Sequence, residues 1–311
     1  MAPTLSAALH LIAAPTLAAA FVASAAGGAA AQETVGRGDS AFHWTGRVPA
    51  GARLTVHAAH GKVDVLAASG ETAEIHATKR GRGDRDAVAF KVVRDGDDVV
   101  VCAVRDDDDE CGPDGVSRQR RSRDRDEPAT DFTIRLPRGV HVGAHSGNGT
   151  VTVTGATGDV EARSGNGAVH VGGGAREVEA TSGNGRVEVE EARGSVSARS
   201  GNGDVSVATA AGPVSASSGN GDIIVRMATL AASGDMEFRT GNGDVRLDVP
   251  ESFQGRIDAS MGHGRFSTDF PITLEGRFTP RRIRGSIGDG SRSVRLSSGN
   301  GDIEIRKISG R

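Results

Sequence analysis

The tetrapeptide SGNG begins at Ser146, Ser164, Ser182, Ser200 and Ser218, an interval of 18 residues each time. Two kinds of chemistry suit such a repeat. Glycine-rich solenoids of the GGxGxD kind bind Ca²⁺ between turns through acidic side chains. Alternatively, carboxamides stacked at one strand spacing hydrogen-bond to one another along a seam, repeating at about 4.7–4.8 Å. The calcium reading needs an acid at every corner, yet Asp follows GNG only at Asp204, Asp222, Asp244 and Asp302, while Thr150, Ala168 and Arg186 stand elsewhere. The corner also comes once per 18 residues and not once per nine. A structural turn ladder through Asn148, Asn166, Asn184, Asn202, Asn220, Asn242 and Asn300 is therefore the expectation, because Gly takes positive φ freely and Asn tolerates it. A calcium-stabilised repeat is kept as an alternative.

Other reactive groups are sparse. Glu188, Glu190 and Glu191 are close enough for an acid and base pair, as in a carbohydrate-active β-helix enzyme, although adjacent acids on a strand usually form a solvated face. The sole tryptophan, Trp44, lies outside the repeats, so no aromatic platform accompanies them. Outward positions change type from coil to coil, which argues against regular threonine rows; TVTVT at Thr150 is the one such run. His57 with His60, or His141 with His145, would need partners at ligand spacing to hold a metal, and none recurs. The stretch SRQRRSRDRDEP at Ser117–Pro128 is offset by Asp106 to Glu110 and by its own Asp124 and Asp126, and it has no interleaved aromatics for stacking bases. No Ser, His and Asp set and no phosphate-cradling loop can be assembled, and GDGSRS is a turn with no following helix. The expectation is a chain with no catalytic residues, no cofactor, no bound metal and no nucleic-acid partner. Cys102 and Cys111 bracket AVRDDDDE, and in an oxidising compartment they should pair across a charged hairpin tip.

The elements that carry these residues are short strands. Val151, Val160, Val169, Val178, Val187, Val196, Val205, Val214 and Ile223 open alternating runs at a spacing of nine. The second inward positions alternate between valines (Val153, Val171, Val189, Val207, Val225) and alanines (Ala162, Ala180, Ala198, Ala216). The pattern predicts an all-β, single-stranded β-solenoid, β-helix-like, with about 18 residues and two main strands per coil. Three valines, at roughly 1.5–3 kcal/mol each, cannot offset ordering a whole coil at about 1–2 kcal/mol per residue, so each coil depends on its neighbours. After Val225 the spacing loosens and larger residues, Met236, Phe238, Leu247 and Phe266, reach the inward positions. Upstream, Leu54, Val56, Val63 and Val65 show the same nine-residue offset and place a start near Arg53.

Composition agrees with a thin core: 45 glycines, 3% aromatics, no tyrosine. A net charge of −3 gives no overall field toward nucleic acid or membrane. The expected organisation is a signal peptide over 1–31, cut before Gln32 although its n-region lacks Lys and Arg; a lead-in over 32–52; an N-terminal β region over 53–137 with a charged loop insertion at about 79–131; and the solenoid proper over 138–311. Export to the periplasm or cell surface follows, with no stable membrane insertion after cleavage.

Three patches, FTIRLPRGVHVGAHSGNGTVTV from Phe132, LDVPESFQGRIDASMGHGRFSTDFPI from Leu247 and GSIGDGSRSVRLSSGNGDIEIRK from Gly285, resemble the bacterial putative-adhesin family of exported β-strand-repeat domains. With the repeats they cover roughly two thirds of the chain. That resemblance implies no catalytic motif. Its implication for function is a non-catalytic binding, adhesion-like or structural surface toward an envelope or surface component; a domain that senses or buffers envelope stress without a fixed ligand is a further reading.

Overall fold

A computed structural model of the chain describes residues 32–35, 39–81, 84–117, 128–209, 212–229, 234–276 and 279–308. The expected signal segment and residues 118–127 of the charged stretch lie outside them. Apart from a 3₁₀ turn at Arg85–Ala87, every regular element among the described residues is a strand. Two long sheets of 14 and 12 strands face each other, and a two-stranded hairpin stands apart from both.

The alternation of apolar and polar residues explains the pair of sheets. In each unit one strand ends at the SGNG corner, and the chain then crosses to the opposite sheet. His141–Asn148, Val160–Asn166, Val178–Asn184, Val196–Asn202 and Val214–Asn220 lie side by side in the first sheet. Val151–Thr154, Val169–Gly172, Val187–Ala192, Val205–Thr209 and Ile223–Met227 do so in the second. Pairing is parallel and in register: Val142, Val160, Val178, Val196 and Val214 form one column, and Ala144, Ala162, Ala180, Ala198 and Ala216 the next. These side chains are all but fully buried between the sheets. Alanine on one side facing valine on the other keeps the sandwich thin, and parallel strands buried on their inner face need such branched aliphatic side chains to fill it.

Past Asn220 the unit lengthens to 22 residues at Asn242. The alanine column continues as Phe238 and Leu296, so the sandwich thickens toward this end. Stack order and chain order then part. Ser293–Asn300 and Ile303–Lys307 enter between the coil of Met236–Asn242 and Val245–Val249 and the coil of Gly255–His263 and Phe266–Thr268. The intervening chain turns back antiparallel, Arg282–Ile287 pairing on Gly255–His263 and the two-residue strand Thr273–Leu274 closing the first sheet. A two-residue edge presents little backbone for further pairing.

The other end is built the same way. Arg53–His60 and Val63–Ala67 stack directly on His141–Asn148 and Val151–Thr154. Asp98–Val104 and Ala129–Leu136 lie on their far side, so the coil from Arg53 fills a slot between two coils that follow it in the chain. Antiparallel strands finish this end, Ala89–Asp95 and then Gln32–Val35 in the first sheet and Thr72–Arg80 and then Ala41–Arg47 in the second, with Phe42, Phe90 and Phe132 packed as its aromatic plug.

The segment at about 79–131, expected as a charged loop insertion, therefore contains the strands Ala89–Asp95, Asp98–Val104, Glu110–Gly112 and Gly115–Ser117 and the start of Ala129–Leu136. The apolar run VVVCAV supplies enough inward side chains to build a coil strand, and the surrounding charges mask it in a composition reading. The stack likewise extends upstream of residue 138, to Arg53 in the chain. No described helix is long and apolar enough to cross a membrane.

Candidate functional site

At the repeated corner each residue of SGNG has a separate task. The serine points inward, and its hydroxyl donates to a glycine carbonyl of the preceding coil: Ser164 Oγ to Gly149, Ser182 to Gly167, Ser200 to Gly185, each at 2.8 Å. Thr240 and Ser298 do the same at 2.9 Å. The first glycine leaves no room for a side chain, since a Cβ on Gly183 would stand 2.5 Å from the Gly165 carbonyl oxygen. The second, Gly185, has φ +155° and would place a Cβ 2.3 Å from the Gly167 oxygen.

The asparagines form a one-directional chain of amide hydrogen bonds. Asn166 Nδ2 donates to Asn148 Oδ1 at 2.7 Å, and Asn184, Asn202, Asn220, Asn242 and Asn300 each donate to the residue before them in the stack at 2.7–2.8 Å. A histidine stands at either end: Asn148 Nδ2 lies 2.9 Å from His60 Nδ1, and His263 Nδ1 lies 3.1 Å from Asn300 Oδ1.

The acids after GNG form a third ladder. Asp204 Oδ1 accepts the Asp222 backbone N–H at 3.1 Å, Asp222 that of Asp244 at 2.8 Å, Asp244 that of Asp302 at 2.7 Å, and Asp302 that of Arg265 at 2.8 Å. Arg186 and Arg265 pair with the two terminal carboxylates at 3.3 and 3.6 Å. Backbone N–H groups and terminal guanidinium groups thus occupy oxygens that a calcium ladder would use. Among the described residues no group of three or more His, Cys, Asp or Glu is placed to hold a metal ion.

Glu188 and Glu190 alternate with inward valines on the outer face of the second sheet, and Glu188 lies 3.5 Å from His170. Glu191 is separated from them by a bulge, at φ +56°, the corner position that Gly155 and Gly173 occupy in earlier coils.

A concavity of about 630 Å³ opens on the outer face of the first sheet at the N-terminal end. Its roof is the hairpin of Glu110–Gly112 and Gly115–Ser117, tied to the sheet by the Cys102–Cys111 disulfide. Lys91 fastens the acidic tip by donating to the Asp107 and Asp109 carbonyls at 2.7 and 2.6 Å, and the Asp109 carboxylate accepts the Arg105 and Asp106 N–H groups.

Under the roof His57 and His145 stack with ring centroids 4.5 Å apart, and His57 Nε2 lies 3.1 Å from the Pro113 carbonyl oxygen. Burial lowers the His57 pKa. His145 is pushed down to about 3, by burial first and then by His57, Arg163 and Arg53. Both rings are therefore neutral at physiological pH. Glu161 takes Arg53 at 3.2 Å and Arg163 at 3.1 Å, and Asp114 of the hairpin supplies the second negative charge in the cleft. Ser146 points inward and donates to the Gly61 carbonyl at 2.7 Å. The arrangement is a braced seam of two neutral imidazoles.

The two histidine pairs considered from sequence are not the pairs that form. His60 meets Asn148, and His141 lies 3.2 Å from Asp159, whose carboxylate also takes two bonds from Arg176 at 2.8 Å. The His57 and His145 pair, 88 residues apart, went unseen. Setting HAAHGKVDV from His57 beneath HSGNGTVTV from His145 would have found it, because His57 then aligns with His145 and His60 with Asn148.

The model of the family described as Toastrack DUF4097 matches residues 117–306. Among solved structures, the chain is similar to a putative cell adhesion protein from Clostridium sporogenes, at 10% identity, TM-score 0.28, over 86% of this chain and 100% of that one. It is also similar to a putative adhesin from Bacteroides fragilis, at 11% identity, TM-score 0.35, over 86% and 97%. No curated protein sequence matches the chain.

Proposed function

The chain belongs to the Toastrack DUF4097 family, and on that premise we propose that it is an exported, non-catalytic solenoid whose stiff outer faces bind a component of the cell envelope or cell surface. One observation carries the reading. The recurring polar residues of the unit, Ser, Asn and Asp, spend their hydrogen bonds from coil to coil, so what varies, and what is free to specify a partner, is the outward side chains. A disulfide-tied hairpin supports an oxidising compartment. A rigid parallel stack also suits a presenting surface, since little ordering entropy is lost on binding.

Capture from the native cell envelope with the mature chain from Gln32 tests this. The expected result is an envelope component retained above background; recovery of nothing would leave only a spacing role. In parallel, the chain is incubated with a panel of polysaccharides. Turnover that disappears in Glu188→Gln and Glu190→Gln variants would replace the binding reading with a carbohydrate-active one.

A further inference from the structure

We propose that a notch at the C-terminal end of the first sheet is a binding site for an acidic glycan, seating a sugar carboxylate among arginines while neighbouring sugar hydroxyls donate to two protein carboxylates. The proposal rests on the surface-binding reading above and names the ligand class and the place. The notch exists because the closing strand Ser293–Asn300 is threaded between Met236–Asn242 and Gly255–His263. On the outer face this sets two rows of four residues across four strands. One row runs Glu237, Arg295, Asp258, Arg284, and the other Arg239, Ser297, Ser260, Arg282.

The short serines make the floor of a cavity of about 320 Å³, their hydroxyls 3.3 Å apart. Arg239 and Arg282 stand at the two ends of that floor, three strand spacings or roughly 14 Å apart at Cα. Arg282 already holds Asp258 by two bonds, at 3.1 and 2.9 Å, and Arg284 reaches the same carboxylate at 3.5 Å. Arg239 is paired with Glu237. Arg295, between the two acids, is exposed, and among the described residues its guanidinium has neither an ion pair nor a hydrogen bond. Four arginines against two acids leave the grid at +2 on a chain whose net charge is −3.

The mixture decides the ligand class. A guanidinium fork presents parallel N–H donors that match a carboxylate. A continuous anionic surface, such as a lipid bilayer or a polyphosphate chain, would press negative charge onto Glu237 and Asp258 as well. A uronic-acid sugar carries one carboxylate among several hydroxyls, so it meets Arg295 with the first and the two acids with the second. The serine hydroxyls, able to donate or accept, complete the floor.

The test is calorimetric titration of the mature chain with trigalacturonate, with maltotriose as the neutral comparison and phosphatidylglycerol vesicles as the lipid arm. Expected are binding of trigalacturonate that weakens as NaCl is raised, no binding of maltotriose, and roughly tenfold weaker binding in Arg295→Gln, the loss of about one charge-assisted bond. Arg163→Gln, at the other end of the same face, should bind as the wild type does, and thermal melts should match in all three proteins. Absence of trigalacturonate binding, equal binding by Arg295→Gln, or Arg295-dependent capture of vesicles in place of the glycan overturns the proposal. Envelope capture with wild type and Arg295→Gln side by side separates the two readings. Equal capture sinks the notch and leaves the surface reading standing. No capture by either, with Arg295-dependent trigalacturonate binding, sinks the envelope reading and leaves the notch.

Discussion

Asparagine propagates a ladder along the stack because its carboxamide donates to one coil while accepting from the next, whereas each corner serine donates to a glycine carbonyl and each aspartate accepts one backbone N–H, closing a bond between two coils. Asn184 donates to Asn166 and accepts from Asn202, both at 2.8 Å, yet it is exposed, so water competes for both bonds. Its replacement by Ala should cost only about 1 kcal/mol. Gly183, one position earlier, makes no side-chain bond at all, but a Cβ there would collide with the backbone of the coil beneath, 2.5 Å from a carbonyl oxygen. That neighbour is held by its own ladder and has nowhere to move. Gly183→Ala should therefore cost several times more than Asn184→Ala, about 3 kcal/mol or above. Urea unfolding of the two variants checks the order, and an Asn184→Ala loss equal to or larger than the Gly183→Ala loss would show that the amide ladder, and not close backbone approach, holds the corner. Gly-Asn-Gly marked a corner in the sequence, but among the described residues the positive φ falls on the glycine after the asparagine, as at Gly185, while the asparagine ends its strand in extended backbone and serves through its amide. The inward serine and the Asp ladder were not legible, because their partners lie in the next coil and a single unit does not contain them.

At the scale of elements, the disulfide-tied hairpin matters through what it covers. With the roof in place His57 and His145 are desolvated, and both bind protons less readily than in the unfolded chain. Their ordinary value is near 6.5, and His145 falls to about 3 in the folded protein. Between those limits the unfolded chain binds more protons than the folded one, so stability rises with pH, is complete above about 6.5 and drains away as pH falls toward 3. The carboxylates held low by arginine, Asp159 and Asp258, lose their contribution in the same direction, but only below the ordinary carboxylate range. The interval from pH 6.5 to 4.5 thus isolates the histidines. Urea midpoints of the wild type should fall across it by an amount worth a few kcal/mol, and His145→Gln should flatten the slope. Replacing both Cys102 and Cys111 with Ala should flatten it as well, by opening the roof to water. A slope unchanged in both variants would mean that the buried pair does not set the acid sensitivity. The pairing of the cysteines could be read from their spacing; the cavity beneath them could not, since it requires the register that puts residue 57 beside residue 145.

For the whole molecule, the nine-residue spacing announced two strands per coil and a stack, and that much follows from binary pattern alone. The pattern says nothing about stack order, because a coil presents the same valine and alanine columns to either neighbour, and any coil of the right width fits any gap. Both ends use this freedom, the coil from Arg53 filling one slot and the strands from Ser293 the other. A consequence follows for the closing segment. Among the described residues, Gly255–His263 and Phe266–Thr268 pair with the rest of the stack through Ser293–Asn300 and Ile303–Lys307, and Arg282–Ile287 pairs in turn on Gly255–His263. If coils were added in chain order, deleting residues 291–311 would remove the outermost coil and leave everything before it in place. In the threaded arrangement the same deletion removes a middle layer. The strands of residues 255–287 then lose their ladder and most of their burial, and an isolated coil of this size cannot hold itself together. Hydrogen exchange on the truncated chain should show protection lost from residue 255 onward and retained over residues 141–225, where each coil keeps both neighbours. Protection that persists in residues 255–263 after the deletion would mean that this strand can dock directly on Met236–Asn242, and would place the coils in chain order after all.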